Sequence, residues 1–150
     1  MLATVGIEDI QGRLDELTAS GAERAVQVAV YRDGAPVLAA DIPSEGKNTA
    51  RALAALYSAL IDGTLLPPAQ LDEVSAVALT ARDEVMGNDA SWCLGFAAGR
   101  PGADTPGSFG LAGSGGTWAW ADRGTATAVA VAKNLQTQNF DTAQRVGELV

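Results

Sequence analysis

Residues 109–134 read FGLAGSGGTWAWADRGTATAVAVAKN, and the fold turns on this stretch. TATAVAVAKN is a run of small and β-branched residues, and Arg123-Gly124 before it is a turn signal. In TWAWAD the two-residue alternation puts Trp118 and Trp120 on one face and Ala119 and Ala121 on the other. One side is bulky; the other admits close packing. WCLGFAAG (92–99) comes before it, across a loop rich in glycine and proline. WCLGFAAG, FGLAGSGGTWAWAD (109–122) and TATAVAVAKN predict three consecutive antiparallel strands.

Working outward, AVQVAVYR and APVLAAD flank Asp33-Gly34, the dipeptide that best tolerates the positive φ angles of a two-residue hairpin turn. Ile7, Ile10, Leu14 and Leu17 recur at helical steps and stop at Ser20-Gly21, which predicts an amphipathic first helix. A second helix is expected from Asn48 or Thr49, with Leu53, Leu56, Tyr57, Leu60 and Ile61 on its apolar face and Asp62-Gly63 at its end. Pro67-Pro68 suits the first turn of a short third helix with Leu71, Val74 and Ala78 inward, and Asp141 can cap a last helix through Val150. The order implies an α+β fold: an antiparallel sheet of about five strands, with the N- and C-terminal helices on one face. No linker or repeat interrupts residues 1–150, so one domain is expected.

Charge and composition remove several functional classes. The net charge is −8, and only Lys47 and Lys133 accompany eight scattered arginines, so no basic stripe faces a phosphate backbone and no nucleic-acid partner is expected. No apolar run reaches the roughly 18 residues of a membrane span, and none is expected. Cys93 is the lone cysteine and the first residues carry neither a basic leader nor an apolar stretch, which points to the cytoplasm. The chain has no histidine, so histidine-based triads and metal centres are excluded, and neither a metal nor a cofactor is expected. Cys93 beside Trp92 reads as a buried small hydrophobe, and Asp83, Glu84 and Asp89 fit no calcium loop and read as a solvated connection.

The glycine cluster Gly113, Ser114, Gly115, Gly116, followed by Thr117 and Trp118, is the candidate ligand-binding element. Glycines there let a ligand or a neighbouring backbone come close, and free N–H groups can bind an oxyanion; the plain alternative is a turn or bulge. The cluster lacks a Lys-Ser/Thr ending and a dinucleotide fingerprint, which disfavours nucleotides.

NTARALAALYSALIDGTLLPPAQLDEVSAVALTARDEVMG (48–87), WCLGFAAG and the 109–134 stretch together resemble the C-terminal part of the serine β-lactamase-like family, the class C β-lactamases and related esterases, and VQVAVYRDGAPVLA (26–39) resembles that family's first hairpin. The resemblance implies the family's antiparallel sheet with a reduced helical region. Members are usually much longer, and the missing middle would carry the Ser-x-x-Lys nucleophile and the Tyr-x-Asn motif. Tyr57-Ser58-Ala59 does not match the latter, and the family's Lys-Thr-Gly or histidine-containing equivalent aligns with Leu111-Ala112-Gly113, without a cation. Ser114 falls where the family uses a backbone N–H in its oxyanion hole.

Ser44-Glu45-Gly46-Lys47 satisfies the Ser-x-x-Lys spacing just before a helix, where the amine can accept the serine proton, although its surroundings align with a later loop of the family. Three functions follow: a protein that binds or transforms a small carbonyl-containing molecule without a classical acyl-enzyme, a serine hydrolase using Ser44 and Lys47, or a non-catalytic interaction module. The reduced helical region implies uncovered apolar surface, for which a homodimer is the expected remedy.

Overall fold

The computed structural model describes residues 7–41, 49–85, 87–103 and 105–150. The chain runs α1 (Ile7–Ala19), β1 (Val26–Arg32), β2 (Ala35–Asp41), α2 (Ala50–Ile61), α3 (Pro68–Ser75), β3 (Leu79–Arg82), β4 (Asp89–Trp92), β5 (Ala97–Ala98), β6 (Ser108–Ala112), β7 (Trp118–Asp122), β8 (Thr127–Lys133) and α4 (Asp141–Leu149). Among the described residues these strands form one sheet in the order β2-β1-β8-β7-β6-β5-β4-β3, every pair antiparallel. The fold class is as expected, but the sheet has eight strands rather than about five.

Two features of the sequence hid the extra strands. Residues 109–122 are two strands, not one, because Gly113–Thr117 closes a tight turn between β6 and β7. Leu79–Arg82 and Asp89–Trp92 pair with each other around the turn at Asp83, and β3 is exposed along its length, so it carries no inward apolar alternation to read. Strand signals come from a half-buried face, and an exposed edge lacks one.

Side-chain alternation divides the core between the two faces of the sheet. Val26, Val28 and Val30 of β1, Trp120 of β7 and Val129 and Val131 of β8 meet Ile10, Leu14 and Leu17 of α1 and Ala143 and Val146 of α4. Ala29, Ala119, Ala121, Ala128 and Ala130 meet α2 and α3 on the other face, with Phe109, Leu71 and Cys93. The terminal helices therefore share one face, as the sequence predicts. Each large side chain fully buried here, such as Phe109 or Leu14, stabilises the fold by roughly 1.5–3 kcal/mol.

The alanine-lined face explains why the apolar stripe of α2 differs from expectation. Its buried residues are Ala50, Ala54, Tyr57 and Ser58, while Leu53, Leu60 and Ile61 are only partly buried and Leu56 is 48% exposed. Small residues on both surfaces let the helix sit close to the sheet, which pushes longer side chains to the flanks. Thr49 is the N-cap, its Oγ1 accepting from Ala52 N at 3.1 Å, and Gln27 Oε1 on β1 accepts from Ala50 N at 3.2 Å. Asp62 and Gly63 (φ 86°) end the helix as expected. Two other readings shift. α3 ends at Ser75, leaving Ala78 outside it and exposed, and Phe140 rather than Asp141 occupies the N-cap of α4, with no side-chain cap. Asp141 lies instead in the first turn, where its carboxylate meets the positive end of the helix.

Tyr57 packs against Phe96 and Phe109, with ring centroids 5.9 and 6.2 Å away, and burial pushes its phenol from 10.0 up to about 12. The fold holds the neutral form. This contribution to stability is whole below the ordinary value of 10.0 and is lost as pH climbs toward about 12. Chemical denaturation at increasing pH in that window should show wild type losing stability more steeply than Tyr57→Phe; parallel profiles would refute the assignment.

Candidate functional site

Strand register brings the candidate elements to one end of the sheet. Trp118 pairs with Val131, Val131 with Val28, and Val28 with Ala40, so the start of β7, the ends of β8 and β2 and the start of β1 form a single row. The β6–β7 turn projects beyond this row. Asp41 at the end of β2 and Thr49, held over β1 through the Ala50–Gln27 bond, are at the same end. Ser44 and Lys47 lie outside the described residues. With strands about 4.8 Å apart, β1 and β7 are separated by roughly 10 Å.

The turn has a definite geometry. Gly113 N donates to Thr117 O at 2.7 Å and Gly116 N to Gly113 O at 3.1 Å, leaving the central N–H groups of Ser114 and Gly115 without a partner among the described residues. Ser114 is exposed at the tip. Gly116 is buried with φ 85°, and a Cβ there would lie 2.6 Å from Asn139 O and against Lys133. Only glycine fits. Gly113 and Gly115 differ, since neither has a positive φ, a Cβ at Gly113 would meet Thr117 at 3.6 Å, and one at Gly115 would meet only the flexible Gln136 side chain at 3.3 Å. The cluster thus combines one glycine the fold demands with two that leave the tip open.

Of the two tryptophans of β7, Trp120 is core, 2% exposed. Trp118 packs on the same face, its ring edge-on to Phe140 at 5.0 Å, and its indole Nε1 is buried without a hydrogen-bond partner among the described residues.

Beneath the turn is a polar cluster that the sequence did not reveal. Lys133 Nζ, its side chain 0% exposed, lies 2.7 Å from Glu23 Oε1, whose side chain is 3% exposed, and donates to Thr137 Oγ1 at 2.7 Å. Thr142 Oγ1 donates to the same Glu23 oxygen at 2.6 Å. The pair joins the α1–β1 connection to the end of β8, and Gly116 closes over it.

The other sequence candidates behave as framework. Cys93 is buried, burial pushes its thiol up, and Sγ donates to Ser75 O at 3.2 Å. Asp83 shapes the β3–β4 turn, Oδ1 accepting from Val85 N at 2.9 Å. Among the described residues no three His, Cys, Asp or Glu side chains are grouped to hold a metal, and no helix is long and apolar enough to cross a membrane.

The family model described as Beta-lactamase covers residues 39–148, and the chain belongs to this family. It is similar to the crystal structure of a penicillin-binding protein homolog from Caulobacter crescentus, at 30% identity and a TM-score of 0.61 over 68% of this chain and 32% of that one. A family VIII carboxylesterase (23% identity, TM-score 0.56, 65% of this chain and 31% of that one) shares the fold. So does EstA from Arthrobacter nitroguajacolicus Rue61a (20% identity, TM-score 0.54, 67% of this chain and 32% of that one). The chain spans about a third of the length of each of these structures. No curated protein matches it.

Proposed function

We propose that this chain binds a small carbonyl-containing molecule at the glycine-turn end of its sheet without forming a classical acyl-enzyme. The observation that carries this reading is the pair of consecutive free N–H groups at Ser114 and Gly115, beside the open glycine Gly113. Such donors stabilise a carbonyl oxygen and need no particular side chain, so they survive the replacement of the family's cationic motif by Leu111-Ala112-Gly113. Leu111 is 47% exposed and offers an apolar surface next to them. Penicillin-binding proteins and carboxylesterases, the relatives by fold, are named for carbonyl-containing molecules, which makes a penicillin and a simple ester the first probes.

The test combines thermal shift with intact-mass measurement after incubation with a fluorescent penicillin. The expected result is a saturable rise in melting temperature, corresponding to about 2.7 kcal/mol at a hundredfold excess over Kd, with no mass adduct. Gly113→Leu should abolish the shift while the protein stays folded. A covalent adduct lost in Ser44→Ala would replace this reading by the serine hydrolase, and no shift with any penicillin or ester would leave the interaction module.

A further inference from the structure

The sheet has two edges, and the fold treats them differently. β2, the edge beside β1, carries Pro36 and a register shift that leaves Val37 unopposed, and α1 lies against it. A proline, a bulge and a covering helix are devices that stop an edge strand from pairing with another chain. β3, the opposite edge, has no proline, and its pairing with β4 runs without a shift from Leu79–Trp92 to Arg82–Asp89. Its one charged side chain, Arg82, stands opposite Asp89 of its own chain, which balances the charge locally.

One face of this edge is apolar and bare. Register carries the row Trp120, Gly110, Ala97, Trp92, Leu79 across the sheet on the face of α1 and α4, and Ala81 and Ala90 lie on that face two residues along. None of Leu79, Ala81, Ala90, Trp92 and Ala97 belongs to the cores the helices close, and Leu79 is 57% exposed. The other face of β3 and β4 is polar, with Thr80 and Ser91 hydrogen-bonded at 2.9 Å. Asp83 N donates to Asn88 O at 2.8 Å, so residues 83, 81 and 79 turn their backbone groups toward β4, and Thr80 and Arg82 turn theirs outward.

We propose that β3 pairs antiparallel with β3 of a second copy about a two-fold axis at Thr80, joining the two sheets edge to edge. With the outward groups in phase, the four-residue strand overlaps itself best when centred on Thr80 or on Ala81. Centring on Ala81 sets Leu79 against the partner's Asp83. Centring on Thr80 sets Thr80 against the partner's Thr80, Leu79 against the partner's Ala81 and Arg82 against the partner's Ala78. Large then meets small on the apolar face, hydroxyl meets hydroxyl on the polar one, and no like charges oppose across the junction although each chain carries −8. This self-match is what selects a second copy over an unrelated extended peptide, because a two-fold interface uses one surface twice. The edge is three strands from β6, and the inference does not rest on ligand binding at the β6–β7 turn.

Sedimentation equilibrium of the full chain across a micromolar dilution series tests this. The expected result is a monomer–dimer equilibrium, the mass falling from near twice 15.3 kDa toward 15.3 kDa on dilution. Thr80→Pro removes an outward N–H and keeps the backbone bonds to β4, while Leu79→Lys places a charge on the apolar face at each side of the axis. Each should weaken the dimer at least tenfold and retain the far-UV circular dichroism of wild type; should Thr80→Pro fail to fold, Leu79→Lys at its exposed position decides. Thr80→Cys should give a disulfide-linked dimer with diamide, its Cα atoms about 5.5 Å apart across the axis, whereas Arg82→Cys, roughly 13 Å or more from its mate, should not. Cys93 is buried and stays silent. A monomer at every concentration, a dimer that both substitutions leave intact, or cross-linking of Arg82→Cys in place of Thr80→Cys overturns the proposal.

Discussion

Lys133→Met should destabilise the protein by about 3–5 kcal/mol in urea denaturation, the cost of removing one member of a buried ion pair. The cause is less the lost attraction than what remains. Glu23, 3% exposed on its side chain, would keep a carboxylate with only the Thr142 hydroxyl on Oε1 and nothing on Oε2. Thr137 would lose its buried donor, and Gly116, packed against the Lys133 stem, would face a differently shaped neighbour. Replacing Glu23 with methionine as well should return most of the lost stability, because a matched apolar pair has no charge to desolvate. The coupling energy from the four proteins should exceed 1 kcal/mol, as expected for residues in one network. A single-variant loss under about 1 kcal/mol would mean that water reaches the pair.

How far the sequence revealed the molecule follows from where its signals arise. The Asp33-Gly34 hairpin was legible because its turn chemistry is local: Asp33 and Gly34 adopt φ 51° and 75°, and β1 and β2 pair around them. The alternation at Trp118–Ala121 was legible because the faces of β7 contact different helices. The short β3–β5 strands were not, because β3 is exposed and β5 is two residues long. The site was legible only as a glycine cluster. Sequence could mark Gly113–Gly116 as unusual but could not separate Gly116, closed down on Lys133, from Gly113, open to its surroundings, since that depends on a chain segment some twenty residues later. The Glu23–Lys133 pair was hidden for the same reason: its partners are 110 positions apart, and a lysine at the end of AVAVAK looks like a strand terminus reaching solvent.

Glycine substitution exposes this difference, and Gly110→Ala should be the most damaging single-methyl change in the sheet. Gly110 sits in β6 opposite Trp120, without a positive φ, so its requirement is for space and not for backbone freedom. A Cβ there would collide with the Ala119 carbonyl oxygen and approach Trp120 Cβ to 2.7 Å and Cα to 2.8 Å. Two of these atoms are backbone of the neighbouring strand and cannot swing aside as a side chain can. The β6–β7 pair must separate or shift register, and Trp120, 2% exposed between the sheet and α4, would move with it. Overpacking of this kind costs about 3 kcal/mol or more. For a chain of this size the melting temperature should fall by roughly 6–12 °C. Gly113→Ala, three residues along, is the control: its Cβ would make ordinary contacts with Thr117 at 3.6 and 3.7 Å, and its stability should stay within about 0.5 kcal/mol of wild type. Differential scanning calorimetry of the two variants measures the contrast directly. Equal melting temperatures would show that β6 and β7 are not held as closely as their register implies.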